Sequence, residues 1–208
     1  MVLKPDSPKS TVNDPPKLCR LKNTDYRSRE YLTIEEIEGL LEAADRYGRH
    51  RVRNRLMVLL GFRHGLRREE ISLLRWDAID WLNGQISIQR VKGSESGVHP
   101  LQADEVAGLR RLQGVDYGGS GFLFAGERGE RVGAIGVSQT LKRIAGVCEP
   151  RLPLPFHAHM LRHSCGFWLA NQGYDTRLIQ DWLGHRNIEH TVVYTRLSPE
   201  RFKVIRWK

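Results

Sequence analysis

Cysteine is scarce and scattered. Cys19, Cys148 and Cys165 are the three in 208 residues, with no CxxC pair and no Cys/His cluster at zinc-site spacing. A disulfide scaffold and a structural zinc fold are thereby set aside, and a reducing, cytosolic compartment is the expectation. Long apolar runs are missing as well. None is long enough to span a bilayer, and the N-terminal segment lacks the apolar stretch of a secretory leader, so a soluble, intracellular protein is expected. No internal repeat marks a solenoid. Negative charge is in deficit: 24 Asp and Glu stand against 33 Lys and Arg, for a net charge of +9 and a pI near 9.8. That balance favours a polyanionic partner, because each neutralised phosphate releases condensed counterions. By itself it is weak, since many basic proteins simply carry solvated Lys and Arg.

What is present begins with a core. Hydrophobic residues make up 40% of the chain, enough to fill one domain. Residues 1–28 contain Pro5, Pro8, Pro15 and Pro16 among polar residues and show no apolar period, which reads as a mobile basic arm. Order begins at Leu32-Thr33-Ile34, where Thr33 and Glu36 form a capping box and Leu32 can staple onto Ile37. Ile34, Ile37, Leu40, Leu41 and Ala44 then share a helix face. A second helix carries Leu56 to Phe62 and ends at His64-Gly65, and a short one follows through Glu69, Glu70, Ile71 and Leu74. At Asn83-Gly84 the period changes to that of a strand over Gln85 to Val91, with a turn at Lys92 to Gly97 and a returning strand over Val98 to Leu101. The rest reads as helix, from Asp104 onward, then around Ser138–Val147, Ala158–Gln172, Asp175–Leu183 and Asn187–Thr195. The expected fold class is mainly α with a small antiparallel β-sheet, one domain over residues 29–208.

Polar chemistry is densest between His157 and Tyr194. Taken singly, each signal there has an ordinary structural explanation. His159 and Arg162, spaced i,i+3, make a surface pair beside a structural His163. Gly184 ends a helix with His185 near the negative end of its dipole. Tyr194, set among Val192, Val193 and Thr195, is a core tyrosine.

Order and spacing change that reading. Gly65-Leu66-Arg67-Arg68-Glu69-Glu70-Ile71, Lys92-Gly93 in a hairpin, His159-Met160-Leu161-Arg162-His163, Leu183-Gly184-His185, and Tyr194 nine residues further on resemble the tyrosine recombinase (phage integrase) family. The match is collinear over roughly Arg29 to Phe202. Within it, Met160 to Phe167 and Asp175 to Asp181 look like the short recombinases that invert fimbrial promoter segments.

The resemblance implies a recombinase catalytic-domain fold and a set of roles. Arg67 and Arg162 match the family's phosphate-gripping arginines, Lys92 its hairpin lysine, His159 the first residue of its HxxR pair, His185 a further donor, Tyr194 the nucleophile and Glu70 a supporting acid. The residue types suit the task. Guanidinium groups stay charged and present a fork of donors to a phosphate. A tyrosine with a reference pKa of ~10 must lose its proton during attack, for which His159 is the implied acceptor, while Lys92 would protonate the leaving 5′ oxygen. No cofactor, metal or nucleotide is implied. The implied partners are double-stranded DNA, three further protomers in a homo-tetramer on two DNA sites, and accessory DNA-bending proteins. The expected location is the cytoplasm, with the nucleoid.

Most family members carry a separate N-terminal helical domain that completes a clamp around DNA; the residues ahead of this catalytic pattern are expected to be too few for one. From Met1 to Tyr31 there are seven Lys or Arg against four acids. After Leu197, the apolar residues Phe202, Val204, Ile205 and Trp207 recur at near-helical spacing, suited either to self-packing or to docking on a neighbour. Two rival readings share the resemblance: a type IB topoisomerase, and a DNA-binding regulator that kept the fold but lost activity. Inversion, integration and excision all remain open, with the fimbrial likeness favouring inversion.

Overall fold

The computed structural model describes residues 29–91, 93–115, 119–153 and 155–196. The arm over residues 1–28, Lys92, and the apolar tail from Leu197 onward lie outside the described residues.

Eight α-helices and three short strands make up the described part. α1 spans Ile34–Arg46, α2 Arg51–Arg63 and α3 Arg68–Leu73. After a 3₁₀ turn at Trp76–Ala78 come β1 (Ile79–Asp80), β2 (Gln85–Ile88) and β3 (Gly97–Pro100). α4 (Ala103–Gln113), α5 (Ala134–Gly146), α6 (His159–Asn171), α7 (Thr176–Leu183) and α8 (Glu189–Arg196) complete the order. The mainly helical class with one small antiparallel sheet is as expected from the sequence. No described helix is long and apolar enough to cross a membrane.

Local chemistry sets most boundaries. The Thr33 side chain accepts from the Glu36 amide, and the Glu36 carboxylate accepts from the Thr33 amide at 2.8 Å, closing the capping box that starts α1. Ile37, Leu40, Leu41 and Ala44 are buried on that helix, whereas Ile34 is only half-buried. Asp80 accepts from the amides of Leu82 and Asn83, each at 3.0 Å, and so forms the turn that leads through Gly84 into β2. Asp175 caps α7 by accepting from the amides of Arg177 and Leu178. Gly184 ends α7 with φ 68°, in the left-handed conformation, and its position has a second constraint: a Cβ there would stand 2.3 Å from the Glu95 carbonyl oxygen.

Two strand expectations are corrected. The sheet has three strands in the order β1-β2-β3, with Ile79 opposite Ile86 and Ile88 opposite Gly97. β1 is two residues long, too short for a readable alternation. β2 stops at Ile88 rather than Val91, because the backbone turns to let Arg90 donate its amide to the Ser96 hydroxyl at 3.0 Å. On β3 the buried residue is His99, and Val98 faces outward.

α2 is the central helix. Leu56 through Phe62 are all buried, and α1, α4, α5 and α6 pack around it. α6 in turn touches α7 and α8, which brings the HxxR segment against the helix that carries Tyr194. A buried polar tie anchors the start of the domain to α6: the Leu32 amide donates to Ser164 Oγ at 2.8 Å.

Candidate active site

The starts of α3 and α6, the end of α7 and one face of α8 converge on a cavity of about 300 Å³. Arg67, His159, Arg162, His163, His185, His190, Val193 and Tyr194 line it. Five of the seven site residues named from sequence thus share one concavity. Glu70 sits behind the wall, and Lys92 lies outside the described residues. Its neighbours are placed: the Val91 amide donates to Glu70 Oε1 at 3.3 Å, and Ser94 Oγ accepts from Arg67 Nη1 at 2.7 Å.

Glu70 organises the positive wall. It is 1% exposed. Its oxygens accept from the Arg67 amide and Arg67 Nη1, both at 2.9 Å, and from Arg90 Nη1 at 2.9 Å, with Arg162 Nη1 at 3.9 Å. Burial alone would raise its pKa, but Arg90, the Arg67 amide and Arg162 outweigh burial and hold it below the usual value. The carboxylate therefore stays charged and offsets the buried guanidinium groups of Arg90 and Arg162. Arg162, 1% exposed, is fixed by donating to the carbonyls of Gly65 and Leu183, each at 2.7 Å. Burial, with Arg67 and Arg90 nearby, lowers its pKa to about 10, so it remains a cation at neutral pH.

Opposite this wall, Tyr194 is 5% exposed, and burial pushes its pKa up to about 12 against the pull of Arg162 and Arg67. Its hydroxyl lies 3.0 Å from His163 Nδ1. His159 does not reach the tyrosine directly; its ring stands edge-on to His163, centroids 4.5 Å apart. His185 Nδ1 is 2.8 Å from Thr191 Oγ1, and its ring lies parallel to that of Tyr194 at 6.4 Å. Burial and the surrounding positive groups lower the pKa of His159 to about 4 and of His185 to about 3, leaving both neutral in the free protein. A cavity with two cationic forks, neutral imidazoles and a phenol is built to receive an anion beside a latent oxygen nucleophile.

Three functional neighbours escaped the sequence reading. Arg90 donates to Glu70, to the carbonyls of Gly65 (3.1 Å) and His64 (2.9 Å), and to that of Trp182 (2.7 Å), pinning the hairpin to the ends of α2 and α7. Its signal was parity: Ile86, Ile88 and Arg90 alternate onto the same face, so an arginine stood at a core position. Gly166 lies one turn beyond Arg162 and His163, and a Cβ there would fall 2.6 Å from Tyr194 Cε2. A glycine inside a helix, on the face that carries the chemistry, signals such close approach. His163, taken from sequence as structural, is the tyrosine's partner, and only the packing of α6 on α8 reveals that.

This fold is that of a tyrosine recombinase catalytic domain. It is similar to the XerH site-specific recombinase in a pre-cleavage complex with its difH substrate, with a TM-score of 0.68 and 26% identity, covering 84% of this chain and 53% of that one. The Phage integrase family profile matches residues 30–201, and the chain belongs to that family, the site-specific tyrosine recombinases. The type 1 fimbriae regulatory protein FimB of Escherichia coli K12 is 43% identical over 187 residues, which cover 88% of this chain and 92% of FimB. FimE of the same strain is 40% identical over 181 residues, covering 84% of this chain and 89% of FimE.

Proposed function

We propose that the chain cuts and rejoins double-stranded DNA through a 3′-phosphotyrosine intermediate at Tyr194, and that it inverts a DNA segment between short inverted repeats. The observation that carries this reading is the buried Tyr194 hydroxyl sharing one cavity with Arg67, held by Glu70, and Arg162, held by the carbonyls of Gly65 and Leu183. In the proposed step, the scissile phosphate enters between the two arginines, whose forks bind its non-bridging oxygens and stabilise the charge that grows there. His185 adds a donor. The Tyr194 oxygen attacks phosphorus, the 5′ oxygen leaves with a proton from Lys92, and the phosphotyrosine bond conserves the energy for rejoining. Four such cleavages, in two paired exchanges, require a homo-tetramer on two sites, aided by DNA-bending proteins. The resemblance to the short recombinases that invert fimbrial promoter segments, together with near-complete coverage of two type 1 fimbriae regulatory proteins, favours inversion over integration.

The test has two stages. A supercoiled plasmid carrying the genomic region around the reading frame is incubated with the protein, and inversion is mapped by restriction digestion. A duplex of the mapped site, nicked beside the scissile phosphate, then traps the covalent adduct on a denaturing gel. Wild-type protein should form the adduct, and Tyr194→Phe should bind the duplex without forming it. Binding without an adduct by the wild type would instead support a regulator of the same fold. Relaxation of any supercoiled plasmid, without inversion, would support a topoisomerase.

A further inference from the structure

Two helices decide what the Tyr194 hydroxyl meets. α6 carries His159, Arg162 and His163 on neighbouring turns, and α8 lays Tyr194 across them, over the gap left by Gly166. Among the described residues the hydroxyl's hydrogen-bond partner is His163 Nδ1, at 3.0 Å. His159 stands behind it, in edge contact with the His163 ring.

We propose that His163, rather than His159, takes the phenolic proton of Tyr194 as the tyrosine attacks DNA, and returns it when the strands are rejoined. This rests on the strand-transfer reading above. The O–H bond breaks and its electron pair stays on the phenol oxygen, which forms the bond to phosphorus; the proton goes to the Nδ1 lone pair, and His163 keeps its other proton on Nε2. The bond from phosphorus to the 5′ oxygen breaks, and that oxygen leaves with the Lys92 proton. Rejoining runs the same transfers backwards, so the step consumes nothing.

The surroundings set when this base works. Facing His163 are Tyr194 from α8, His159 and Arg162 from α6, Glu30 ahead of α1, and His157 ahead of α6; Arg67, His185 and His190 line the same cavity. Glu30 favours the imidazolium, His157 and Arg162 oppose it, and burial dominates, holding the His163 pKa down to about 4. The free protein therefore keeps a neutral ring with its lone pair available. An arriving phosphodiester brings negative charge into the cavity, which favours the imidazolium and raises proton affinity only once DNA is in place. Arg67 and Arg162 meanwhile favour the phenolate.

The test uses the full chain and the nicked duplex of the mapped site. His163→Asn places an amide atom where Nδ1 stands, so it keeps a hydrogen bond but accepts no proton. Its rate of adduct formation at neutral pH should fall by roughly 10²–10⁴-fold, and should then climb about tenfold per pH unit where the wild type levels off. Free imidazole should partly restore His163→Ala. The defect of His163→Asn should persist on a duplex with a 5′-bridging sulfur, which needs no acid. Duplex binding and thermal unfolding of each variant separate chemistry from folding. A His163→Asn rate within about threefold of wild type would overturn the proposal. So would a lowered rate that keeps the wild-type pH profile and ignores imidazole. A wild type that binds the duplex and forms no adduct overturns the strand-transfer reading itself, an outcome visible before any variant is made.

Discussion

Replacing Gly166 by alanine tests the geometry of the site with one methyl group. The added carbon would lie 2.6, 2.7 and 2.8 Å from Tyr194 Cε2, Cδ2 and Cζ, where carbon atoms in contact ordinarily sit ~3.5–4.0 Å apart. Either the ring or α8 must retreat by about 1 Å. Two effects on stability oppose each other. Alanine gains about 1 kcal/mol over glycine inside a helix, and overpacking a well-filled contact costs about 1–3 kcal/mol. The net is a loss of about 0–2 kcal/mol, small enough for the protein to remain folded. The effect on chemistry is larger. A nucleophile displaced by about 1 Å loses near-attack geometry and on the order of 10² in rate, and the contact with His163 is lost as well. Single-turnover adduct formation on the nicked duplex measures the rate, and urea unfolding measures stability. A double-mutant cycle sharpens the test: with Tyr194→Ala the clash is gone, so Gly166→Ala should then stabilise by about 1 kcal/mol. Cleavage by Gly166→Ala within about threefold of wild type, or an unchanged stability cost in the Tyr194→Ala background, would refute the reasoning.

Arg67→Lys and Arg162→Lys should each reduce single-turnover cleavage by roughly 10²–10³-fold, because lysine keeps the charge and loses the fork; near-wild-type rates would mean that neither grips the phosphate. Lys92→Ala should cleave slowly on ordinary DNA and recover on a duplex with a 5′-bridging sulfur, whose thiolate leaves without a proton; equal impairment on both would make Lys92 a charge or a positioner. Stability should decline on acidification. Burial lowers His159 and His163 to about 4 and His185 to about 3, so from the ordinary value of 6.5 downward the unfolded chain binds protons that the folded chain refuses. Urea midpoints should therefore fall from pH 7 toward pH 4, and constant midpoints would contradict the burial of these rings. Deleting residues 1–28 should weaken duplex binding and flatten its salt dependence while leaving the Tyr194 adduct detectable; titrations at several salt concentrations would show an inert arm as identical curves.

The sequence was most legible where a short stretch carries its own instruction. Thr33 with Glu36 marks the start of α1, Asn83-Gly84 marks a turn, and Asp175 and Gly184 bracket α7, because each closes hydrogen bonds with residues two to four positions away. β1 was not legible: its two residues are held by pairing with Ile86 and Gln85 across the sheet. The candidate site was legible as ordered motifs, and Arg67, His159, Arg162, His185 and Tyr194 do line one cavity. The partnerships inside it were not. The contact of His163 with Tyr194 spans 31 positions and that of Arg90 with Trp182 spans 92, distances over which helix packing decides who meets whom. Arg90 stood in plain view as a charged residue at an inward position, and its parity with Ile86 and Ile88 was the missed clue.

The fastening of the hairpin bears on how such a chain can be re-engineered. Two residues past the end of β2, Arg90 grips three carbonyls at the ends of α2 and α7. From β3, His99 lies against Trp182 with ring centroids 4.0 Å apart and meets His64 Nδ1 through its own Nδ1 at 3.2 Å. His64 in turn lies 3.2 Å from the buried carboxylate of Glu105 on α4. The hairpin whose sequence includes Lys92 is thus not an exchangeable module bounded by its own turn. A graft of residues 89–99 from a relative would have to bring along matching counterparts of His64, Glu105 and Trp182, or strand buried carbonyls and ring nitrogens without partners. Diversification by loop swapping, straightforward for surface hairpins, is closed to this one, and variation is steered toward its exposed positions, such as Val98 and Glu95.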